Sequence, residues 1–175
     1  MPQHAPIVGA SRGLGLGLVS EYLSRGWDVT ATERTRSDAL HATKGVVEVA
    51  DVTDHGSIDT LAARVTGLFD LLFIVSGQWG PGHQNPLQTT AAETAALFMA
   101  NVVGPVAAAM TFADKVAPAG TIAFMTSEMG SIGGNKQGGA YLYRASKAAL
   151  NAMGKSFSLS KQAQGRDRPP LSGPC

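Results

Sequence analysis

Short apolar runs alternate with helix-like segments along this chain, and the alternation leaves few architectures open. Ile7-Val8, Val29 to Thr32, Val46 to Val49, Leu71 to Val75 and Thr121 to Met125 read as strands, while Leu14 to Ser24 and Ile58 to Val65 carry helical spacing between them. Strands separated by helices do not pair as tight hairpins, so the units are βαβ and the sheet is parallel. The run Leu71-Leu-Phe-Ile-Val75 is apolar throughout, as a strand buried on both faces requires. The expected fold is α/β, a doubly wound parallel sheet of the Rossmann type with five strands. A chain of 175 residues, 44% hydrophobic and 15% charged, suits one such domain with a sizeable core.

The helical segments show where each begins, ends and packs. In the first, Leu14, Leu18, Val19 and Tyr22 share a face, and Gly26 follows as a natural stop. Ile58, Leu61, Ala62 and Val65 fall at i, i+3, i+4 and i+7. Thr90-Ala-Ala-Glu93 has the spacing of a capping box and opens a long helix through Asn101. After a glycine-rich loop over residues 130 to 139, Leu142, Ala145, Ala149, Leu150 and Met153 form an apolar stripe, with Tyr143 and Lys147 on the flank of that helix. Pro6 removes a ladder donor from the first strand and leaves Ile7 to Gly9 as a short one. One domain is expected over 1–163, and the Gly- and Pro-rich stretch over 164–175 reads as an irregular tail.

Several function classes fall away. The formal charge is +1 with no Lys/Arg block, which gives no electrostatic reason for a nucleic-acid or acidic-membrane partner. The single cysteine, Cys175, excludes an internal disulfide and makes the cytoplasm the default compartment. The start lacks a basic n-region and a long apolar h-region, and no stretch reads as a membrane span, so the protein is expected to be neither secreted nor inserted. His4, His41, His55 and His83 are scattered without ligand-like spacing, so no metal site is expected.

Three constellations carry chemistry. Gly9-Ala-Ser-Arg-Gly13-Leu-Gly15 follows the first strand and opens the first helix, where glycines admit a phosphate close to the backbone and free N–H groups offer donors. Its spacing, three residues then one, differs from the one-then-two of the common Rossmann fingerprint. Asp51 closes the third apolar run, where an acceptor meets an adenine amino group at the sheet edge. Tyr143 and Lys147, four residues apart, share one helix face about 6 Å apart along the axis. The ammonium favours phenolate and brings down the pKa of a neighbouring phenol, ordinarily about 10, making it a proton donor and acceptor.

Taken together, these motifs resemble the short-chain dehydrogenase/reductase family, and most of all its small carbonyl-reductase-like members related to C-factor. Gly9 to Gly15 resembles the cofactor turn, Asp51-Val52 the adenine-contacting pair, Asn101-Val-Val-Gly-Pro the active-site asparagine motif, Thr126-Ser127-Glu-Met-Gly-Ser the serine motif and Tyr143-Arg-Ala-Ser-Lys147 the signature. Val75-Ser76-Gly77 stands where the family has Asn-Ala-Gly. The resemblance implies hydride transfer between NAD(P)H and a small carbonyl or alcohol. Tyr143 would exchange the proton, Ser127 would hold the substrate oxygen, and Lys147 would lower the tyrosine pKa and bind the nicotinamide ribose. Asn101 would hold a relay water. Cofactor contacts fall to Gly9, Ser11, Arg12, Gly13, Leu14, Gly15, Arg34, Asp51, Val52 and Gly77 as well as Tyr143 and Lys147. A homodimer or homotetramer is implied too. Tyr141 is a decoy, because residue 145 is Ala.

Cofactor preference turns on the end of the second strand. Glu33 stands where NAD-preferring members carry an acid, whereas Arg12 and Arg34 stand where NADP-preferring members carry bases. Two guanidinium groups neutralise a phosphate from which one flexible Glu can turn away, so NADP(H) is expected and NAD(H) remains the alternative. Two family strands and a Pro-Gly turn have no counterpart, and Arg166-Asp-Arg-Pro-Pro looks like a truncated or frameshifted end. That expectation exposes the fifth strand as a sheet edge, removes half of the nicotinamide pocket and favours self-association. A catalytically impaired nucleotide-binding or regulatory protein is therefore the alternative function. Trp79 to His83 borders the pocket or is a surface turn.

Overall fold

The computed structural model describes residues 2–166. Five parallel strands, β1 His4–Val8, β2 Asp28–Glu33, β3 Val46–Val49, β4 Phe69–Ile74 and β5 Val116–Phe124, form one sheet in the order β3-β2-β1-β4-β5. The helices are α1 Gly13–Ser24, α2 Asp38–His41, α3 His55–Arg64, α4 Ala91–Phe98, α5 Gly104–Phe112 and α6 Tyr141–Arg166. Successive strand residues serve opposite faces, as the pleat demands. Ile7, Val29 and Ala31 join Val19 of α1 and Leu40 of α2 on one side, and Val8, Leu72 and Ile74 join Ile58 and Leu61 of α3 and Ala109 and Phe112 of α5 on the other. The sheet is thus doubly wound, and the chain reverses its winding between β1 and β4, where a crevice opens at the carboxyl ends of the strands.

Several local expectations are corrected. The first strand begins at His4 and runs through Pro6, rather than starting after it. By alternation, the missing Pro6 donor faces β4, and on that side the ladder starts only at Ile7 opposite Phe73. The Asp70 carboxylate accepts the His4 amide at 2.9 Å, so one proline costs the central strand little. Leu14 is 69% exposed, because the buried side of α1 is Gly15 and Val19, with Leu18, Tyr22 and Leu23 packed beside them. The long helix does not stop at Asn101: α4 passes through a π-helical turn, Met99–Val103, and continues as α5.

The run Ala91–Lys115 is therefore long and apolar enough to cross a membrane by length and composition, contrary to expectation. In the fold it is a core element, 56% buried over its most apolar window and packed on α3, α6 and the sheet. The capping box at Thr90 forms in both directions with Glu93. On α6 as far as Lys161 the buried residues are Ser146, Lys147 and Leu150, while Ala145 and Met153 of the supposed stripe are exposed. The helix extends through Arg166, three residues into the expected irregular tail, and the rest of that tail lies outside the described residues. Among the described residues β5 forms one edge of the sheet.

Candidate functional site

Two of the glycines in the first turn are fixed by different demands. Gly9 has φ 90°, and a Cβ there would lie 2.7 Å from the Ser76 amide nitrogen, so the turn runs flush against the end of β4. Gly15 lies so close to the turn it follows that a Cβ would collide with the Gly9 carbonyl oxygen and sit 2.9 Å from Ala10 Cα. Gly13, by contrast, borders open space. The Thr32 hydroxyl accepts the Gly9 amide at 2.9 Å and fixes the turn to β2.

Helix α1 then starts at Arg12 in extended backbone, with no side-chain cap and no acid in its first turn. Helices α2, α3 and α4 are each capped by a side chain, from Ser37, Asp54 and Thr90 respectively. The first N–H groups of α1 are therefore left for an outside acceptor, with the positive end of the helix dipole behind them. They border a cleft of about 380 Å³ lined by every cofactor residue expected outside α6: Gly9, Ser11, Arg12, Gly13, Leu14, Gly15, Arg34, Asp51, Val52 and Gly77. A larger hollow, about 890 Å³, lies at the opposite ends of the strands around His4, Trp27 and Arg64. Arg64 and Glu48 pair there at 2.8 Å, and no helix N-terminus is among the described residues that line it. The phosphate-binding features all belong to the smaller cleft.

At the end of β2, Glu33 turns away from the cleft. Its side chain is 4% exposed, its Oε2 accepts the Ser37 amide at 2.6 Å, and its Oε1 pairs with His41 Nε2 at 2.8 Å. Arg34 stays outside, 68% exposed on the cleft with its Nη1 3.8 Å from Asp51 Oδ2, and Arg12 lines the cleft beside it. The acid that would repel a 2′-phosphate is withdrawn, and two guanidinium groups remain. Asp51 spends Oδ1 on the Thr53 amide and hydroxyl at 2.9 and 2.8 Å, leaving Oδ2 toward the cleft.

Burial alone would raise the Glu33 pKa, but the hydrogen bonds from His41 and the Ser37 amide, with positive charge at His41 and Arg36, hold it below its ordinary 4.5. The folded carboxyl is the stronger acid, so the stability it contributes is complete above that value and is lost as pH falls through the folded one. Between about pH 6 and about pH 3 the melting midpoint of the native chain should fall more steeply than that of Glu33→Gln, read by scanning fluorimetry. Parallel slopes would remove Glu33 as the source.

The π-helical turn places Asn101 at full burial between the cleft and α6. Its Nδ2 donates to the Gln78 carbonyl at 2.8 Å and to Ser146 Oγ at 3.0 Å, while Oδ1 accepts the Gln78 amide at 2.7 Å. Both amide hydrogens are used, so one Oδ1 lone pair is its remaining capacity. A Cβ on Gly77 would lie 3.3 Å from that Oδ1 and equally far from Lys147 Nζ, so the two polar atoms flank the same space at the end of the cleft. Just beyond the same turn, Gly104 packs on the Val52 carbonyl, which anchors the helix to a cleft residue.

Lys147 is 3% exposed, donates to the Met125 carbonyl at 2.9 Å, and lies 5.9 Å from the centre of the Tyr143 ring. Burial pushes its pKa down from 10.5. Tyr143 stacks on Trp79 with centroids 4.7 Å apart, and its amide donates to Gln84 Oε1 at 2.9 Å. Ser127 heads a short 3₁₀ turn, Glu128–Gly130, and its Oγ accepts the Met129 amide at 3.2 Å while its own hydrogen remains to be donated. Two contacts dock that turn on α6: Thr126 Oγ1 bonds Asn151 Oδ1 at 2.6 Å, and a Cβ on Gly130 would sit 2.9 Å from the Lys147 carbonyl carbon. Tyr141 is 61% exposed.

The donor set fits a dinucleotide. The uncapped helix start suits a diphosphate, Arg12 and Arg34 a 2′-phosphate, and Asp51 Oδ2 an amino group. Ser76, at the end of β4, has a buried hydroxyl with no hydrogen-bond partner among the described residues, an orphan that a ligand in the cleft would satisfy. The residues that sequence patterns missed are those acting through long-range contacts: Thr32 on Gly9, Ser146 on Asn101, and Gln84 on Tyr143, the last 59 positions away. Of these, Ser146 lies inside the Tyr143-to-Lys147 signature and Gln84 beside Trp79 to His83, segments that the sequence singled out for other residues.

Comparison with known proteins agrees with this geometry. Residues 3–165 match the short chain dehydrogenase family. The chain is 32% identical over 161 residues to 1-hydroxy-2-glutathionyl-2-methyl-3-butene dehydrogenase of Rhodococcus sp. strain AD45, covering 89% of this chain and 70% of that protein. A short-chain dehydrogenase/reductase from Burkholderia multivorans with bound NADP superposes with a TM-score of 0.88 at 36% identity, over 94% of this chain and 75% of that one. A carbonyl reductase from Pseudomonas aeruginosa PAO1 in complex with NADP gives a TM-score of 0.87 at 32% identity, over 91% and 74% of the two chains.

Proposed function

The chain belongs to the short-chain dehydrogenase family, and from that membership we propose that it is an NADP(H)-dependent oxidoreductase acting on the carbonyl or alcohol group of a small molecule. When bound, the cofactor supplies or takes up the hydride at the carbonyl carbon, while the matching proton passes at the oxygen, so that carbonyl and NADPH become alcohol and NADP⁺. Tyr143 is the group that gives or takes that proton at its phenol oxygen. Lys147 stabilises the phenolate that the transfer leaves behind, and its two uncommitted donor hydrogens suit ribose hydroxyls. Ser127 donates to the substrate oxygen and orients it. Asn101 braces Gln78 and Ser146 around the lysine, and its free Oδ1 lone pair faces the same space as Lys147 Nζ, a place for a water that refills the proton.

The observation that carries this reading is the convergence at Gly77. The cofactor cleft ends there, and the Lys147 ammonium stands beside it with the Tyr143 ring 5.9 Å away. The withdrawal of Glu33 supports NADP(H) over NAD(H). Titration with NADPH and NADH, followed by turnover on a panel of aldehydes and ketones, tests both halves. Binding without hydride transfer would support a nucleotide-binding protein instead. Arg34→Ala should weaken NADPH by about 10- to 100-fold, since charge-assisted bonds to the 2′-phosphate are lost, and change NADH by less than about 2-fold. Equal losses for the two would assign Arg34 to a part they share. A homodimer or homotetramer is proposed through the outer faces of α4 and α6, where Ala91, Ala92, Ala95, Ala96, Ala145, Ala152 and Met153 are exposed.

A further inference from the structure

We propose that Trp79 is the wall against which this site holds its substrate. It selects carbonyl compounds conjugated to a flat aromatic or unsaturated group over saturated ones of the same size. This deepens the carbonyl-reduction reading above, on which it rests. The indole lies nearly parallel to the Tyr143 ring, 4.7 Å between centroids and 28° between planes, yet Trp79 remains 47% exposed. One part of it is covered by the phenol and the rest is open beside it. A carbonyl oxygen within hydrogen-bond reach of the Tyr143 hydroxyl carries its substituents into the neighbourhood of that ring pair. A conjugated substituent is coplanar with the carbonyl and meets the indole in the offset or edge-on arrangements that aromatic pairs favour. A saturated ring is puckered and has no quadrupole to match.

The wall is also held rigidly. Gly80 takes φ 86°, and a Cβ there would lie 3.0 Å from a methyl of Leu97, which is 1% exposed, so the turn after Trp79 sits directly on α4. Gln84 is 6% exposed and itself at φ 51°. Its Nε2 donates to the Trp79 and Pro81 carbonyls, both at 2.9 Å, while its Oε1 accepts the Tyr143 amide at 2.9 Å. One buried side chain therefore ties the backbone of the wall to the backbone of the proton donor. Indole and phenol are set relative to each other before substrate arrives, and binding bears no cost for ordering them.

The test uses the full chain with NADPH and a matched pair, benzaldehyde and cyclohexanecarbaldehyde. In Trp79→Leu the ratio of kcat/KM for the aromatic over the saturated aldehyde should fall about 3- to 10-fold, and Trp79→Phe should hold it within about 2-fold. Taking the ratio within each variant cancels the intrinsic reactivity of the two aldehydes. An unchanged ratio in Trp79→Leu, with both substrates turned over, overturns the proposal. Absence of turnover by the native chain would instead overturn the reduction reading, and the wall is then judged by binding. In Trp27→Phe, where Trp79 is the remaining tryptophan, benzamide should quench the indole fluorescence saturably at a concentration at least about 3-fold below that of cyclohexanecarboxamide. Equal titrations, or no quenching, overturn the wall; this arm also decides the matter if Trp79→Leu fails to fold.

Discussion

Replacing Tyr143 with phenylalanine is expected to lower kcat/KM for carbonyl reduction by about 10²- to 10⁴-fold, the range that a positioned general acid supplies. The substitution is narrow. Phenylalanine keeps the ring that stacks on Trp79, and the bond from the residue 143 amide to Gln84 involves only backbone at that end. Only the hydroxyl is lost, so the melting midpoint should stay where it is and the NADPH dissociation constant should change by less than about 5-fold, far less than the rate. Steady-state rates, calorimetric titration and a thermal melt read the three quantities separately. A variant with kcat/KM within about 3-fold of the native chain would move the proton transfer to another group. A variant that lost affinity and stability in step with rate would make Tyr143 a structural residue.

The second large effect is expected at Gly15. Alanine there drives a methyl into the Gly9 carbonyl oxygen and to within 2.9 Å of Ala10 Cα, and both obstacles are backbone. Neither rotates away as a side chain would, so the first turn of α1 must move off the glycine turn. A destabilisation of roughly 1–3 kcal/mol follows from overpacking, about 3–10 °C in melting midpoint for a chain of this size. NADPH affinity should fall at least about 10-fold, because the helix N–H donors no longer register on the diphosphate. Gly17→Ala is the internal control: a Cβ there meets nothing within 4 Å, and alanine in a helix is favoured over glycine by about 0.5–1 kcal/mol. If the two variants melt alike, close packing at Gly15 is not what shapes the turn.

Much of this was legible from residue order because its cause is local. The strand and helix alternation, the capping box at Thr90 and the glycine turn each depend on neighbours within a few positions, and the parallel sheet follows from their sequence. Periodicity misled where the site itself overrides it. On α6 Leu150 of the expected stripe is buried, but Ser146 and Lys147 turn inward beside it, their burial bought by hydrogen bonds with Asn101 and Met125, while the apolar Met153 faces out. Leu14 was counted with the core face although the first turn of its helix borders the cleft. The helix through Asn101 was cut short because a π-helical turn leaves no compositional mark. Gln84 was invisible for a different reason: its partners are two carbonyls nearby and an amide far along the chain, and backbone groups carry no sequence signal.

The inward fold of Glu33 bears on redesign of nucleotide preference. Scored by composition, the residues around the end of β2 give a mixed signal, one acid against two bases, and an engineer seeking an NADH-using version would begin by deleting the bases. Deletion alone would leave the acid locked to Ser37 and His41, with nothing presented to the ribose hydroxyls. The latch has to be opened first, by removing the imidazole that holds the carboxylate, and only then does the acid already encoded become available for the new task.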